Sequence, residues 1–383
     1  MSITSARGFR AAAVAAGLKA SGGLDVALLV NDGPTYAAAG VFTSNRVKAA
    51  PVRWSQQVLR TGQLRAVVLN SGGANACTGS AGFADTHATA EHTAAELGMG
   101  AIDVALASTG LIGMRLPMPE LLAGISRTAK ELGSDGGGSA AEAIMTTDSV
   151  PKLASVTRDG YAVGGMAKGA GMLAPGLATM LVVLTTDAQT DAQSLDAALR
   201  EATAVTFDRV DSDGAMSTND TVLLLASGAS GQQPSPADLA HAVTTVCHDL
   251  AGQLLADAEG STKDISITVE RAATVDDALL VARAIARNNL VKCAFFGADP
   301  NWGRILAAVG TTCAAFDPDD LDVVMNGVEV CRAGGIGEDR DGCDLSGRRV
   351  DVQVRLHAGD QQATVWTNDL SLAYVHENSA YSS

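Results

Sequence analysis

Apolar positions along this chain repeat with two periods, and each period marks a different kind of element. Leu24 to Val30, Arg65 to Asn70, Met180 to Asp187, Thr221 to Ser227, Ile265 to Glu270, Val350 to Leu356 and Ala363 to Val375 carry the β-branched enrichment of strands. Helices are clearer. Ser235, Pro236 and Asp238 supply an N-cap, a proline at the first helical position and an early acid. Leu239, Val243, Val246, Cys247, Leu250 and Leu254 then fall on one helical face. The same periodicity predicts helices over residues 85–97, 118–132 and 275–287, and all these stripes read as core packing rather than a cofactor box. SDGGGS, Ser134 to Ser139, predicts a flexible loop ahead of the helix that leads to MTTD. Strands and helices come in mixed rather than strictly alternating order, so the expected class is α/β of the α+β kind, not a doubly wound parallel sheet.

The 383 residues suffice for two domains or one large layered one, and 47% hydrophobic content can fill a substantial core. A formal net charge of −15, with no Lys/Arg cluster interleaved with aromatics, argues against nucleic acid and anionic membranes as partners. A local lysine or helix N-terminus can still bind a small carboxylate against that field. The six cysteines form no CxxC pair and no compact framework, and read as reduced, mostly buried thiols of a reducing compartment. Arg7 and Arg10 precede AAAVAAGL, but that run is short, alanine-rich and followed by Lys19, unlike a signal peptide. No run approaches the roughly 18 apolar residues of a transmembrane helix, so the expected location is the cytoplasm.

The densest chemical signal is KGAGMLAPGLATMLVVLTTDA, Lys168 to Ala188, where a glycine-rich turn ends in Ala178-Thr179 before an apolar strand. The Thr179 hydroxyl at that junction can attack the carbonyl just before it. If the chain breaks there, Thr179 becomes a new N-terminus whose free amine is its own general base. An α-amine with pKa near 7.8 is roughly 15% neutral at pH 7, whereas an ordinary lysine is under ~0.1% neutral. Local pattern alone also reads Thr179 as no more than the first residue of a buried strand.

Other side chains fit acyl transfer, which needs donors aimed at a developing oxyanion. Thr109 and Gly110 follow the short apolar run VALAS, and such a turn presents a hydroxyl and a backbone N–H together; a capped glycine turn is the plainer reading. Lys168 stands eleven residues before Thr179, where a long cation can reach over the nucleophile or hold a carboxylate; a solvated surface charge is the alternative. Thr146 and Thr147 in MTTD are hydroxyl donors for a substrate α-carboxylate, or else caps and packing residues. Glu259 is expected at the end of the helix begun at Pro236, a place that disfavours negative charge, which implies either a cationic partner or simple solvation. The six histidines form no HExxH or other metal spacing, so no metal site is expected, and no GxSxG elbow, Walker A loop or dinucleotide fingerprint occurs. GADPNWGRI reads as a structural turn and helix start.

Nine blocks in order carry a resemblance over almost the whole length: GVFTSNRVKAAPV, LNSGGANACTG, ASTGLIGMRLPM, AIMTTDSVPK, KGAGMLAP with ATML, STNDT, AEGSTK, GADPNWGRI and the terminal ENSAYSS. The chain resembles the ornithine acetyltransferases of arginine biosynthesis, the bifunctional glutamate N-acetyltransferases. Two blocks depart from that pattern: Gly73 replaces an asparagine, and Gly176-Leu177 replaces Asn-Met or Asp-Met. The resemblance implies a layered αββα sandwich like that of N-terminal-nucleophile enzymes, with the nucleophile strand in the middle and a smaller α/β domain formed mostly by the C-terminal half. It implies cleavage at Ala178-Thr179 into an α chain, residues 1–178, and a β chain of the remaining 205 residues, 179–383, assembled as an αβ oligomer such as a heterotetramer.

The same resemblance assigns Thr179 as nucleophile, Thr109 and Gly110 as the oxyanion hole, and Thr146, Thr147, Lys168, Glu259, Asn378 and Ser383 as substrate contacts. The implied substrates are N2-acetyl-L-ornithine and L-glutamate, exchanged through an acetyl-Thr179 enzyme without a cofactor. The δ-ammonium of ornithine suits Glu259. Whether acetyl-CoA also serves as donor, and which of Thr146 and Thr147 touches substrate, stay open. Rival readings are an N-terminal-nucleophile aminopeptidase or amidase that hands the acyl group to water, and a non-catalytic sensor of acetylated amino acids that never cleaves itself.

Overall fold

Several strands of this protein are buried on every residue because both of their faces are covered. The computed structural model describes residues 2–174 and 180–380. Its strands are β1 (Phe9–Val14), β2 (Val26–Asn31), β3 (Ala38–Phe42), β4 (Ala66–Asn70), β5 (Val104–Ser108), β6 (Lys152–Arg158), β7 (Tyr161–Lys168), β8 (Leu181–Thr186), β9 (Thr221–Ala226), β10 (Asp264–Ala272), β11 (Asp322–Met325), β12 (Val328–Arg332), β13 (Gly335–Ile336), β14 (Arg349–Arg355) and β15 (Gln361–Asn368). The α-helices are α1 (Ala50–Val58), α2 (Gly79–Leu97), α3 (Met118–Lys130), α4 (Gly137–Ala143), α5 (Ala192–Val205), α6 (Pro236–Ala256), α7 (Val275–Ala286), α8 (Asn289–Phe296), α9 (Trp302–Val309) and α10 (Leu372–Ala380).

Two sheets stack between helices. One has the order β1-β2-β4-β5 and the other β3-β9-β8-β7-β6. Period-2 alternation splits the second sheet between two cores. Leu181, Val183, Leu223 and Leu225 join the four-stranded sheet in one cluster, while Val182, Leu184, Val222 and Leu224 pack with Leu195, Leu199, Val243 and Leu250 of α5 and α6. Helices α3 and α4 pack on β1 and β2, and α1 packs on β5. The result is the expected αββα sandwich. A six-stranded sheet, β13-β12-β11-β14-β10-β15, forms a separate C-terminal core with α7, α8 and α9.

The five-stranded sheet matters most for function. β7 and β8 pair antiparallel with Lys168 opposite Leu181, and β8 and β9 pair in parallel. β3 pairs antiparallel with β9. Chain from both sides of Ala178-Thr179 is therefore woven into one sheet, and backbone ladders would hold two fragments together after a break.

Four expectations need correction. The strand expected over Ala363 to Val375 ends at Asn368. There the Asn368 amide donates to the Leu255 and Lys263 carbonyls and Asp369 accepts from the N–H groups of Thr262 and Lys263, which turns the chain into α10. SDGGGS is not all loop, because Gly137 starts α4 and the turn at Gly136 sits so close to β1 that a Cβ there would meet the Ala11 carbonyl at 1.9 Å. Glu259 is not on the end of α6, which stops at Ala256 with Asp257 as its C-cap. The cysteines are free, but only Cys247, Cys331 and Cys343 are buried while Cys77, Cys293 and Cys313 are exposed. Among the described residues no helix is long and apolar enough to cross a membrane.

Candidate active site

Lys168 is the last residue of β7 and its side chain is 2% exposed, far from the solvated surface charge that a lone lysine usually is. Its ammonium donates to the Thr146 hydroxyl at 2.7 Å and approaches the Thr109 hydroxyl at 3.4 Å. An ammonium only donates, so the Thr109 O–H keeps its own proton available for a third party. Beside it, Gly110 has φ 126°, and a Cβ there would meet the Gly73 nitrogen at 2.5 Å. That close approach requires glycine. The Gly110 N–H has no hydrogen-bond acceptor among the described residues.

This turn is fixed from behind. The Thr109 N–H donates to the Asn70 carbonyl and the Gly73 N–H to the Thr109 carbonyl, both at 3.0 Å. Asn219 of the STNDT block donates from one amide to the Ala74 carbonyl at 2.6 Å and the Ser108 carbonyl at 2.8 Å. Three separated sequence blocks thus converge on two donors, Thr109 and Gly110.

Sequence reasoning missed the group that holds Lys168. Asp148 is buried, and its carboxylate accepts from Lys152 Nζ at 2.7 Å, the Gly169 N–H at 2.6 Å and the Thr146 N–H at 3.0 Å, with Lys168 Nζ at 3.9 Å. Lys152, whose side chain is fully buried, also donates to Asp257 at 2.6 Å. Burial pushes the Asp148 carboxyl up, but Lys168, Lys152 and the Gly169 N–H outweigh it and hold it at about 2. Burial pulls the Lys168 ammonium below its usual range, with Asp148 opposing. Asp148 lies in the quoted MTTD run and Lys152 four residues on; the sequence signal was the spacing, which without a fold reads as surface pairing.

Asp220 was missed as well. It accepts from the N–H of Met180, the residue after Thr179, at 3.2 Å. The neighbouring Thr43 hydroxyl donates to the Ser217 carbonyl, and Asp220 Oδ2 has no hydrogen-bond partner among the described residues. Burial drives this carboxyl well above its ordinary range.

On the far side of the loop after Lys168, the Glu259 N–H donates to the Ala170 carbonyl at 2.8 Å. A Cβ at Gly171 would meet the Glu259 carboxylate at 2.5 Å, so glycine lets the acid lie against the loop. Helix α10 covers this region: a Cβ on Gly260 would meet the Tyr374 nitrogen at 2.2 Å, and Asn378 donates to Glu259 at 3.0 Å. A cavity of about 230 Å³ opens here, lined by Asp213, Glu259, Lys292, Asp369 and Tyr374 among others. Thr147 is exposed and its side chain makes no hydrogen bond among the described residues, in contrast to Thr146. Thr179, Ala178 and Ser383, like Gly176, lie outside the described residues. Trp302 starts α9 and packs on the C-terminal core, with Asn301 as its N-cap. Among the described residues no group of three or more His, Cys, Asp or Glu could hold a metal ion.

Comparison with known proteins is decisive on kinship. The model of the ArgJ family matches residues 10–383. The chain belongs to the ArgJ family. It is 64% identical over 383 residues to the arginine biosynthesis bifunctional protein ArgJ of Streptomyces coelicolor, covering all of both chains. It is 62% identical over 389 residues to the protein of the same name from Mycobacterium tuberculosis, covering all of this chain and 96% of that one. Among solved structures, the ornithine acetyltransferase of M. tuberculosis complexed with ornithine is 63% identical, with a TM-score of 0.45 over 47% of this chain and 96% of that chain. An ArgJ structure from Bacillus halodurans is 34% identical, with a TM-score of 0.49 over 51% of this chain and 97% of that chain.

Proposed function

We propose that this chain is a self-cleaving glutamate N-acetyltransferase that moves the acetyl group of N2-acetyl-L-ornithine to L-glutamate. The observation that carries the reading is the convergence of Thr109, Gly110, Thr146 and Lys168 at the end of the β7–β8 ladder, where Lys168 lies opposite Leu181, two residues after Thr179, in a member of the ArgJ family. Cleavage at Ala178-Thr179 frees the Thr179 amine. The amine takes the hydroxyl proton as Thr179 Oγ attacks the acetyl carbonyl, and the Gly110 N–H and Thr109 O–H receive the oxyanion. Collapse breaks the C–N bond, and the same proton passes to the departing amine of ornithine. Glutamate then attacks the acetyl ester with its amine, and Thr179 is regenerated. No cofactor takes part.

Lys168 and Thr146 suit the substrate α-carboxylate, because an ammonium and a hydroxyl stand side by side at the end of β7. Glu259, with Asn378 bonded to it, suits the side-chain ammonium of ornithine. The α chain of residues 1–178 and β chain of residues 179–383 stay paired through the five-stranded sheet, in an αβ oligomer such as a heterotetramer. A cytoplasmic location belongs to this reading, supported by six free thiols.

Two substitutions test the assignments. Thr109→Ala removes a donor used only as charge develops, so kcat falls roughly 10²- to 10³-fold with little change in KM. Near wild-type turnover would reduce Thr109 to a turn former. Glu259→Gln removes the charge facing the ornithine amine, so the half-reaction with acetylornithine weakens by roughly tenfold or more while that with acetylglutamate changes less. Equal losses in both half-reactions would take Glu259 out of amine recognition.

A further inference from the structure

A second cavity, of about 450 Å³, is lined by Arg46, Lys48, Arg53, Cys77, Thr78 and Gly79 among others. It is nearly twice the volume of the one beside Glu259 and has the opposite charge. In a chain of net charge −15, three cations within eight residues face one opening and no acid lines it. None of the three has a salt bridge or side-chain hydrogen bond among the described residues; Arg53 only stacks on Phe83, 5.2 Å from the ring centre. Arg46 and Arg53 are exposed and Lys48 is half-buried, so water and salt screen their mutual repulsion, and an anion seated among them would meet all three cations at once.

The backbone points the same way. Thr78 is the N-cap of α2, a residue type that normally bonds the first-turn N–H groups. Here its hydroxyl turns back to Asn75 Oδ1 at 2.7 Å and makes no cap bond. The first-turn amides of a 19-residue helix are left uncapped beside the cations. Cys77 and Gly79 have φ 57° and 64°, on either side of Thr78 at φ −101°, the alternation that turns successive N–H groups toward one concavity.

We propose that this cavity is a binding site for a diphosphate-bearing small molecule of the nucleoside diphosphate class. A single carboxylate or monophosphate would leave part of the three positive charges uncompensated, whereas a diphosphate matches them. The volume leaves room for an attached nucleoside. The site is separate from the acetyl-transfer residues but tied to them: Cys77 to Gly79 continue the segment whose Gly73 and Ala74 N–H groups bond the Thr109 and Leu111 carbonyls.

Isothermal titration of the purified, full-length protein with pyrophosphate and with ADP at low ionic strength tests the proposal. One saturable site per chain is expected, weakening as salt is added. Arg46→Ala, Lys48→Ala and Arg53→Ala combined should abolish it, and Lys48→Met alone should weaken it by roughly tenfold, with acetyl exchange retained as proof of folding. Tighter binding of ADP than of pyrophosphate adds a nucleoside contact, and equal binding assigns the site to the diphosphate alone. Absence of saturable binding, sulfate competing as well as pyrophosphate, or unchanged affinity in Lys48→Met would overturn it.

Discussion

Purified wild-type protein should run under denaturing conditions as two fragments, the larger beginning with Thr179, while Thr179→Ala should give one full-length chain with no acetyl exchange. Cleavage and acyl transfer both need the same hydroxyl, so a single methyl-for-alcohol change removes both. The fragments should separate only on unfolding. β7 lies before the break and β8 after it, and their ladder runs from Val163 opposite Thr186 to Lys168 opposite Leu181. β3 from the first fragment and β9 from the second add another ladder. N-terminal sequencing that finds no TMLVV terminus in active wild-type protein would contradict the cleavage.

Asp148→Asn should be the most damaging substitution outside the nucleophile. It removes the carboxylate shared by Lys152 and Lys168, both buried, and leaves their charge undercompensated. Breaking such a pair costs about 3–5 kcal/mol of stability. Denaturant unfolding would show that loss, and exchange activity should fall with it because Lys168 and the Thr146 N–H lose their anchor. The pH dependence has a definite sign. The Asp148 carboxyl is held at about 2 in the folded protein against 3.8 as its ordinary value. The stability it contributes is present above pH 3.8 and lost as pH falls through 2. That window is worth about 2 kcal/mol, and the Asn variant should lose this part of the acid limb. A variant as stable and active as wild type would show that Asp257 alone satisfies Lys152 and that Lys168 needs no counterion.

The layered fold was legible because its strands and helices announce themselves by period, as in Leu181 to Thr186 and the capped helix from Pro236. Boundaries failed where a tertiary bond decides them. Asn368 and Asp369 end β15 by bonding residues about a hundred positions away, which no local pattern contains. Glu259 was placed on a helix end because the apolar stripe of α6 runs close to it, whereas Asp257 takes the C-cap position and pairs with Lys152. The blocks that hold Thr109, Thr146 and Lys168 could be read from residue type and order, yet Asp148 and Asp220 could not. Their roles come from burial and from what faces them, and a lone aspartate in a polar run gives no sign of either.

The central claim is that Thr179 carries the acetyl group between two half-reactions. Acetylornithine supplied without glutamate should drive the first half-reaction and stall there. Rapid acid quench and mass spectrometry of the N-terminal peptide of the β chain should then find one added acetyl group, discharged when glutamate is supplied, and initial-rate plots should be parallel. An unlabelled peptide together with intersecting plots would mean direct transfer in a ternary complex, and Thr179 would lose its role as acyl carrier.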